Sequence, residues 1–224
     1  RANCVDADRS GRACGGRAGV SIVNTALVAE ADRPCGLAEL VAQPDKVAIA
    51  NPLFGSTFTH AAALSAALGT DTALRIFTDL RSGGAHVVDG NAVVRDMVAA
   101  GQVPMGLTDT DDACVAIEKG AEVAVIFPDQ QEGGLGTLVV PNTVTLIAGA
   151  PNARAGKALV DFLLSSETET ALIESGWFQI PSRPGLGEPP CYGNLKVKAM
   201  DVPMSDIHSG IEAIGPKLRA AFQS

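Results

Sequence analysis

This 224-residue sequence has few aromatic residues. It also has no surplus of basic residues, no long apolar run and no recognisable catalytic motif. Aromatic residues are only 4% of the chain, so a core has to be built from aliphatic side chains and alanine. A net charge of -8 without any basic run argues against nucleic acid and anionic membranes as partners. No apolar stretch reaches the ~18–20 residues that a membrane-spanning helix needs. The first 19 residues also lack the apolar segment of a signal peptide, as those of a mature protein would.

The cysteine pattern argues against a zinc site. The five cysteines are an odd number at irregular spacing, and no two of them form a C-x-x-C pair. Cys4 and Cys14 could form a disulfide in an oxidising compartment. Cys114 lies on the predicted helix after an acidic loop and is expected to be a small buried apolar residue.

Hydrophobic residues make up 46% of the chain, enough for one large core or two smaller ones. They fall into short strand-like runs, several of which are followed by polar residues and then by a helical pattern. The three clearest runs are residues 46–50, 85–88 and 103–107. The helices that follow these runs begin near Ser56 and Thr57, near Asn91, and near Thr108, Asp109, Thr110 and Asp111.

This alternation predicts an α/β fold with a largely parallel sheet. Ligands of open α/β sheets bind at the carboxyl ends of the strands, where loops and helix N-termini face solvent. Because the carboxyl ends of parallel strands share one edge, we expect Ser56, Asn91 and Asp109 to meet there. The sequence thus predicts a polar ligand site assembled from three separate stretches.

The pattern changes after residue 128. Residues 137–147 are a long β-rich run interrupted by Pro141, which is typical of a strand that bends or crosses between two lobes. Three helices are predicted beyond it. They begin near residue 152, cover 167–175, and cover 205–222 with a break near Pro216.

Seven segments, in this order, resemble the bacterial extracellular solute-binding proteins of ABC importers, in the branch that contains ferric-ion-binding proteins. Each segment alone is weak, but the ordered series is specific. They are KVAIANPLFGSTFTHAAAL, GNAVVRDMVAAG, GLTDTDDACVAIEKG, VIFPDQ, GTLVVPNTVTLI, GAPNARAGKALVDFLLSSE and QIPSRPG.

The resemblance implies a two-lobed periplasmic-binding-protein-like α/β fold with mixed sheets and crossing hinge strands. The N-terminal half of lobe one does not resemble the family, so this lobe is expected to be incomplete. Residues 1–19 are predicted to be a disordered or non-native tail. Lobe one is expected to comprise residues 20–36 and 137–184, and lobe two residues 37–136 and 185–224.

The resemblance also implies a function. The chain is expected to be the monomeric solute-binding component of an ABC importer, in the periplasm or on the extracytoplasmic face of the membrane. It would capture a small solute in an interlobe cleft by hinge closure and deliver it to the transporter permease. The solute would be a ferric or other metal ion, or a small anionic or organic molecule. No cofactor is expected beyond a metal ion carried as ligand, and no enzymatic step.

Individual site residues follow from the same resemblance. Ser56 and Thr57 match a serine-rich helix start that holds an anion in ferric-binding relatives, and Asn91 matches a helix start that faces the cleft. The segment from Thr108 to Asp112 falls where those relatives carry two adjacent tyrosines that ligate iron. These tyrosines are absent, and the only tyrosine is Tyr192, so iron is one option among several. The predicted ligand-binding residues are Ser56, Thr57, Asn91, Thr108, Asp109, Thr110 and Asp111.

Simpler interpretations stay open. Ser56, Thr57, Asn91 and the aspartates could only cap helices, since acidic residues at a helix N-terminus are favoured by about 0.3–1 kcal/mol each. The chain could be an incomplete, non-binding fragment of a solute-binding protein. A hydrolase using Ser56 with His60 is a third alternative, but these residues are one helical turn apart and nothing orients the histidine.

Overall fold

The computed structural model describes residues 11–187, 189–192 and 197–223. Within these, the chain divides into two compact units. Unit 1 comprises residues 11–17 and 139–192, and unit 2 comprises residues 18–138 and 197–223. Residues 20–36, predicted to belong to lobe one, fall in unit 2. Whether the two units are the two lobes of the family stays a prediction.

Strands and helices alternate over most of the chain. The strands are β1 (Gly11–Asn24), β2 (Val47–Ala50), β3 (His86–Val88), β4 (Met105–Asp109), β5 (Val123–Ile126) and β6 (Val139–Thr145). The helices are α1 (Leu37–Val41), α2 (Gly55–Leu68), α3 (Thr70–Ser82), α4 (Asn91–Ala99), α5 (Thr110–Glu118), α6 (Ala153–Leu163), α7 (Ser166–Glu174) and α8 (Met204–Phe222). Short 3-10 turns cover Glu30–Asp32, Pro44–Lys46 and Pro190–Tyr192. No helix in the described ranges combines the length and hydropathy needed to cross a membrane.

Unit 2 is built on a mixed sheet with the strand order β3-β2-β4-β1-β5. Strand β2 is parallel to both β3 and β4, whereas β1 is antiparallel to β4 and β5. The expectation that the first three strand–helix units form a parallel sheet is therefore confirmed, as is the predicted mixed α/β fold class. The carboxyl ends of β2, β3 and β4 lie at one edge.

In unit 2, α4 packs closely on the sheet and α8 packs closely on α2, because a glycine lies at each contact. Gly106 of β4 lies under α4, where an added Cβ would be 2.4 Å from Val94 Cγ1. Gly210 of α8 lies against α2, where a Cβ would be 2.3 Å from the carbonyl oxygen of Ala62. The core is aliphatic, as the low aromatic content predicts, and Phe77 is its one large aromatic among the fully buried side chains that the structure describes.

Unit 1 contains β6, α6 and α7, and β6 pairs with β1. Gly16 exchanges two backbone hydrogen bonds with Ile180, at 2.9 and 2.7 Å. Glu169 of α7 is 1% exposed and accepts hydrogen bonds from the backbone N–H of Ser182 (2.6 Å) and from Arg183 (2.5 Å). Burial raises the pKa of Glu169, but these hydrogen bonds and the Arg183 charge together outweigh it and lower the pKa overall. These contacts connect α7 to Ser182 and Arg183.

Three sequence expectations are wrong. Residues 11–19 are not a disordered tail but the first part of β1, because they pair with a distant part of the chain. Helix α8 continues through Pro216, since its neighbours Ile214 and Leu218 are fully buried and hold both sides of the proline in place. Cys114 is buried but is not a free apolar residue, because it is disulfide-bonded, as is Cys191. Cys4 and the side chain of Cys14 lie outside the described residues, and so does the side chain of Tyr192.

Candidate functional site

A hydrogen-bonded series connects the carboxyl ends of the three parallel strands. The Asn91 side-chain amide donates a hydrogen bond to Ser56 Oγ at 2.8 Å. The Thr108 hydroxyl donates to the backbone carbonyl of Asn91 at 3.2 Å. Three of the predicted residues, one from each strand–helix junction, are therefore in direct contact although 35 and 17 residues separate them in sequence. We refer to Ser56, Asn91 and Thr108 as the polar rim.

The capping interpretation of the rim residues is wrong. The N-cap residues of α2 and α4 are Phe54 and Gly90, so Ser56, Thr57 and Asn91 lie inside the first turns. Neither N-cap forms a side-chain hydrogen bond, and neither first turn holds an acidic residue. The first N–H groups of both helices therefore have no capping side chain, and a helix N-terminus in this state favours a negatively charged group.

Three of the predicted ligand-binding residues are buried threonines. Thr57 is 6% exposed and Thr108 is 2% exposed. Thr110 has no exposed surface, and its Oγ1 accepts the backbone N–H of Ala18 at 3.1 Å. This bond ties the start of α5 to β1, so Thr110 holds the sheet edge together.

The start of α5 is acidic. Asp109, at the end of β4, is 7% exposed. Asp112 accepts a hydrogen bond from Arg95 of α4 at 3.1 Å. Burial, and secondly the nearby charge of Asp111, raise the pKa of Asp112 to about 6, although Arg95 opposes the shift. The Arg95 guanidinium lies between α4 and α5 and was not assigned any role from the sequence. Arg95 also forms an ion pair with Asp96, its neighbour on α4, at 2.8 Å.

Two buried acceptor oxygens in the first turns of α4 and α5 lack a hydrogen-bond partner among the described residues. They are Oδ1 of Asn91 and Oδ1 of Asp111, and both atoms are shielded from solvent. A third buried oxygen of this kind, Oγ of Ser21, lies on β1, and no sequence pattern pointed to it. An unsatisfied buried acceptor costs free energy, and a bound ligand donor can remove that cost.

The described residues include no group of three or more His, Cys, Asp or Glu side chains suited to hold a metal ion. The aspartates of the acidic loop are thus not gathered with further ligands of these types. Hard cations require several oxygen ligands at once.

His60 is buried one turn after Ser56 on α2 and is only 4% exposed. Its pKa is lowered to about 4 by burial, so the imidazole is neutral at physiological pH. Ser56 bonds to Asn91, and the structure describes no hydrogen bond between Ser56 and His60. A nucleophilic serine needs a base within hydrogen-bond reach, so the hydrolase alternative gains no support.

The mixed α/β sheet with a polar rim at the ends of its parallel strands agrees with the predicted fold class. A family model described as "Bacterial extracellular solute-binding protein" matches residues 16–196. The chain belongs to this family, and the predicted family and extracytoplasmic location are thereby confirmed.

Among curated proteins, a Salmonella typhimurium protein is 30% identical over 81 residues. Its name provisionally describes a 2-aminoethylphosphonate-binding periplasmic protein. The match covers 36% of this chain and 24% of the relative. The chain therefore spans about a quarter of the curated relatives it matches.

Solved structures resemble most of the chain. The ferric binding protein from Campylobacter jejuni has a TM-score of 0.84 at 19% identity, covering 97% of this chain and 73% of that one. Iron-bound HitA from Pseudomonas aeruginosa has a TM-score of 0.83 at 20% identity, covering 98% and 71%. AfuA from Actinobacillus pleuropneumoniae, with fructose-6-phosphate bound, has a TM-score of 0.78 at 21% identity, covering 95% and 68%. At these identities the likeness shows the fold alone.

Proposed function

We propose that this chain is the solute-binding component of an ABC importer and captures a small organic solute with a phosphonate or phosphate group. The polar rim is the observation that carries the proposal. The solute is delivered to a membrane permease by hinge closure, without any chemical change. The proposed contacts are Ser56, Asn91, Asp109 and Asp111, with Thr57 and Thr108 as supports.

The rim favours an anion where α2 and α4 begin. Because the Asn91 amide donates to Ser56 Oγ, the Ser56 hydroxyl is free to donate its own proton to a ligand oxygen. The first-turn N–H groups of both helices add further donors. Several donors and no neighbouring carboxylate on these two turns suit a phosphonate.

The start of α5 favours the opposite charge. Asp111 lies in the first turn of α5, and its Oδ1 is a buried acceptor without a partner in the described part of the chain. An ammonium group has three donors and a positive charge, so it can satisfy such an oxygen. A solute with both groups, such as 2-aminoethylphosphonate, offers its phosphonate to the polar rim and its amine to Asp111, in agreement with the name of the curated relative.

A ferric ion is the second candidate, favoured by the names of the structural neighbours. Two observations argue against iron. The tyrosine pair is absent from the sequence, and the described residues include no group of three His, Cys, Asp or Glu side chains suited to a metal ion. Capture between two lobes, as the family resemblance implies, and a monomeric state both stay predictions.

A thermal-shift panel tests the choice of solute. The four probes are 2-aminoethylphosphonate, ethylphosphonate, fructose 6-phosphate and ferric citrate, with citrate alone as blank. A ligand at 100 times its dissociation constant stabilises the folded state by about 2.7 kcal/mol. We expect the largest rise in Tm with 2-aminoethylphosphonate and a smaller rise with ethylphosphonate, which lacks the amine.

A rise with ferric citrate alone would replace the phosphonate proposal by the iron alternative. No rise with any probe would favour the non-binding fragment.

A further inference from the structure

A groove on unit 2 lies between the C-terminal end of α2, the loop at residues 133–135 and the chain from residue 198 to the first turn of α8. We call it the α2–α8 groove. Its volume is about 560 Å³, which is within the range of ~300–1,000 Å³ that ligand-binding clefts have. All of its lining residues belong to unit 2, and none of them belongs to the polar rim.

Hydrogen bonds hold the two chain segments beside the groove together. The Gln130 side chain accepts the backbone N–H of Lys198 at 2.7 Å and donates to the Lys198 carbonyl at 3.1 Å. The backbone N–H of Thr137 donates to the same carbonyl at 2.9 Å, and that of Met200 donates to the Thr137 carbonyl at 2.8 Å. Because these bonds fix the chain before α8 to the chain after β5, the groove is formed without a ligand, and binding does not have to order it.

The lining of the α2–α8 groove includes small and apolar residues. Leu68 and Met204, each adjacent in the chain to a lining residue, are large apolar side chains that are 40% and 45% exposed. Exposed apolar surface bordered by polar groups is typical of a site that contacts another protein. The apolar lining residues are Ala66, Ala67, Leu135, Met200, Val202 and Pro203.

The charge of the lining is negative. Asp201 and Asp206 are exposed, and neither forms an ion pair with a residue that the structure describes. Lys198 is the cation among the described lining residues, and its Nζ donates to the carbonyl oxygen of Gly134 at 2.5 Å rather than to a carboxylate. The two carboxylates are therefore available to a cationic group of a partner.

We propose that the α2–α8 groove docks a polypeptide segment of a partner protein that carries a basic side chain next to apolar ones. The basic side chain lies against Asp201 and Asp206, and the apolar side chains contact the apolar lining. A polypeptide fits better than a small molecule, because the lining is exposed at Ala66, Gly133 and Ala199 and leaves room for a chain to continue beyond the groove.

The groove and the polar rim can be occupied at the same time. Ser56 lies in the first turn of α2 and Ala66 in its last turn. The ten residues between them correspond to about 15 Å along a helix. Docking at the groove thus goes beyond the proposed capture of a solute, and either proposal can fail without the other.

Selection of displayed random heptapeptides on the 224-residue chain tests the docking proposal. Ala67→Trp fills the groove, and Ala213→Trp on the exposed side of α8 is the matched control. We expect peptides with a Lys or Arg next to apolar residues to be enriched on the native chain and on the Ala213 variant. The Ala67 variant is expected not to enrich them.

Fluorescence anisotropy with the most enriched peptide, made synthetically, tests the role of the carboxylates. The double variant Asp201→Asn, Asp206→Asn is expected to bind it about tenfold more weakly, because the charge complementarity is lost. Asp79→Asn, at an exposed position of α3, is the control and should bind with native affinity.

Three results would overturn the proposal. The first is enrichment of no sequence, or of sequences that bind the Ala67 variant equally well. The second is native affinity in the double aspartate variant. The third is binding of N-acetyl-lysine methylamide as tight as that of the peptide, which would show a site for a small cation rather than for a polypeptide.

Discussion

Asn91 determines which groups donate and which accept in the hydrogen bonds of the polar rim. Asn91 has a single side-chain amide nitrogen and directs it at Ser56, while its backbone oxygen accepts from Thr108. This leaves a hydroxyl proton on Ser56 and an acceptor oxygen on Asn91, both at the ends of parallel strands. Ser56 thus offers a donor to the anionic group of the proposed solute, while the acceptor proposed for its ammonium group is Oδ1 of Asp111.

Burial of His60 makes the stability of the folded protein depend on pH. Its pKa is about 4 in the folded state against 6.5 without burial, so the unfolded chain binds the additional proton between these values. Stability is therefore complete above pH 6.5 and falls as the pH decreases towards 4. By linkage, His60 should account for about 2 kcal/mol of lost unfolding free energy between pH 7 and pH 5.

Urea unfolding of His60→Gln at both pH values checks this, with exposed His208→Gln as the matched control. The pH slope should become flatter only in the His60 variant. Asp112 acts in the opposite direction, because its raised pKa of about 6 makes the folded state hold a proton that the unfolded chain has released. Because Asp112 is present in all three proteins, comparing them at the same pH cancels its contribution to the free energy of unfolding. Equal slopes in all three proteins would show that His60 is not buried in a neutral form.

At the scale of elements, the close approach of α8 to α2 depends on Gly210. Alanine is better than glycine in a helix by about 1 kcal/mol, yet a Cβ here would lie 2.3 Å from the backbone oxygen of Ala62. Backbone atoms cannot move aside as a flexible side chain can. Gly210→Ala is expected to destabilise unit 2 by about 1–3 kcal/mol in urea unfolding.

Ser209→Ala on the same helix is the control, because Ser209 is exposed and the change should stay within about 0.5 kcal/mol. Stabilisation of the Gly210 variant would show that α8 and α2 do not touch at this point.

The sequence pattern predicted the strands and helices that depend on neighbouring residues in the chain. The apolar runs before Ser56, Asn91 and Thr108 were each followed by a helical period, and all three strand–helix units form with parallel strands. Their meeting point was predictable because the geometry of a parallel sheet fixes it.

Other features depend on contacts that sequence spacing does not reveal. Residues 11–17 have a glycine-rich sequence without a strand period, and they become a strand because Ile180 and β6 pair with them. Pro216 interrupts the helical pattern locally, but burial of Ile214 and Leu218 keeps α8 continuous. The hydrogen bond from Asn91 to Ser56 likewise depends on a contact between residues that are 35 positions apart in the sequence.

At the scale of the whole molecule, the two units differ in how they are stabilised. Unit 2 has an aliphatic core, whereas the buried side chains between residues 139 and 187 are those of Glu169 and Gln179, both polar. Local opening is easiest where few apolar groups are buried. The disulfides of Cys114 and Cys191 agree with the oxidising conditions of an extracytoplasmic protein.

Hydrogen exchange should therefore separate the two units. Amides of α6 are expected to exchange at least ~100 times faster than those of α2, since local stability differs in proportion to buried apolar contacts. Mass spectrometry of the 224-residue chain measures both helices in one sample. Equal protection of α6 and α2 would contradict the absence of a core in unit 1.

The most direct test of the polar rim is isothermal titration of 2-aminoethylphosphonate into the native chain, Ser56→Ala and Ser209→Ala. Loss of one hydrogen bond to a charged group costs about 1.5–3 kcal/mol, which corresponds to a loss of affinity of roughly 10- to 150-fold. The account predicts this loss for Ser56→Ala and native affinity for Ser209→Ala, at equal Tm of the unliganded proteins. Unchanged affinity in the Ser56 variant would contradict the rim as the capture site.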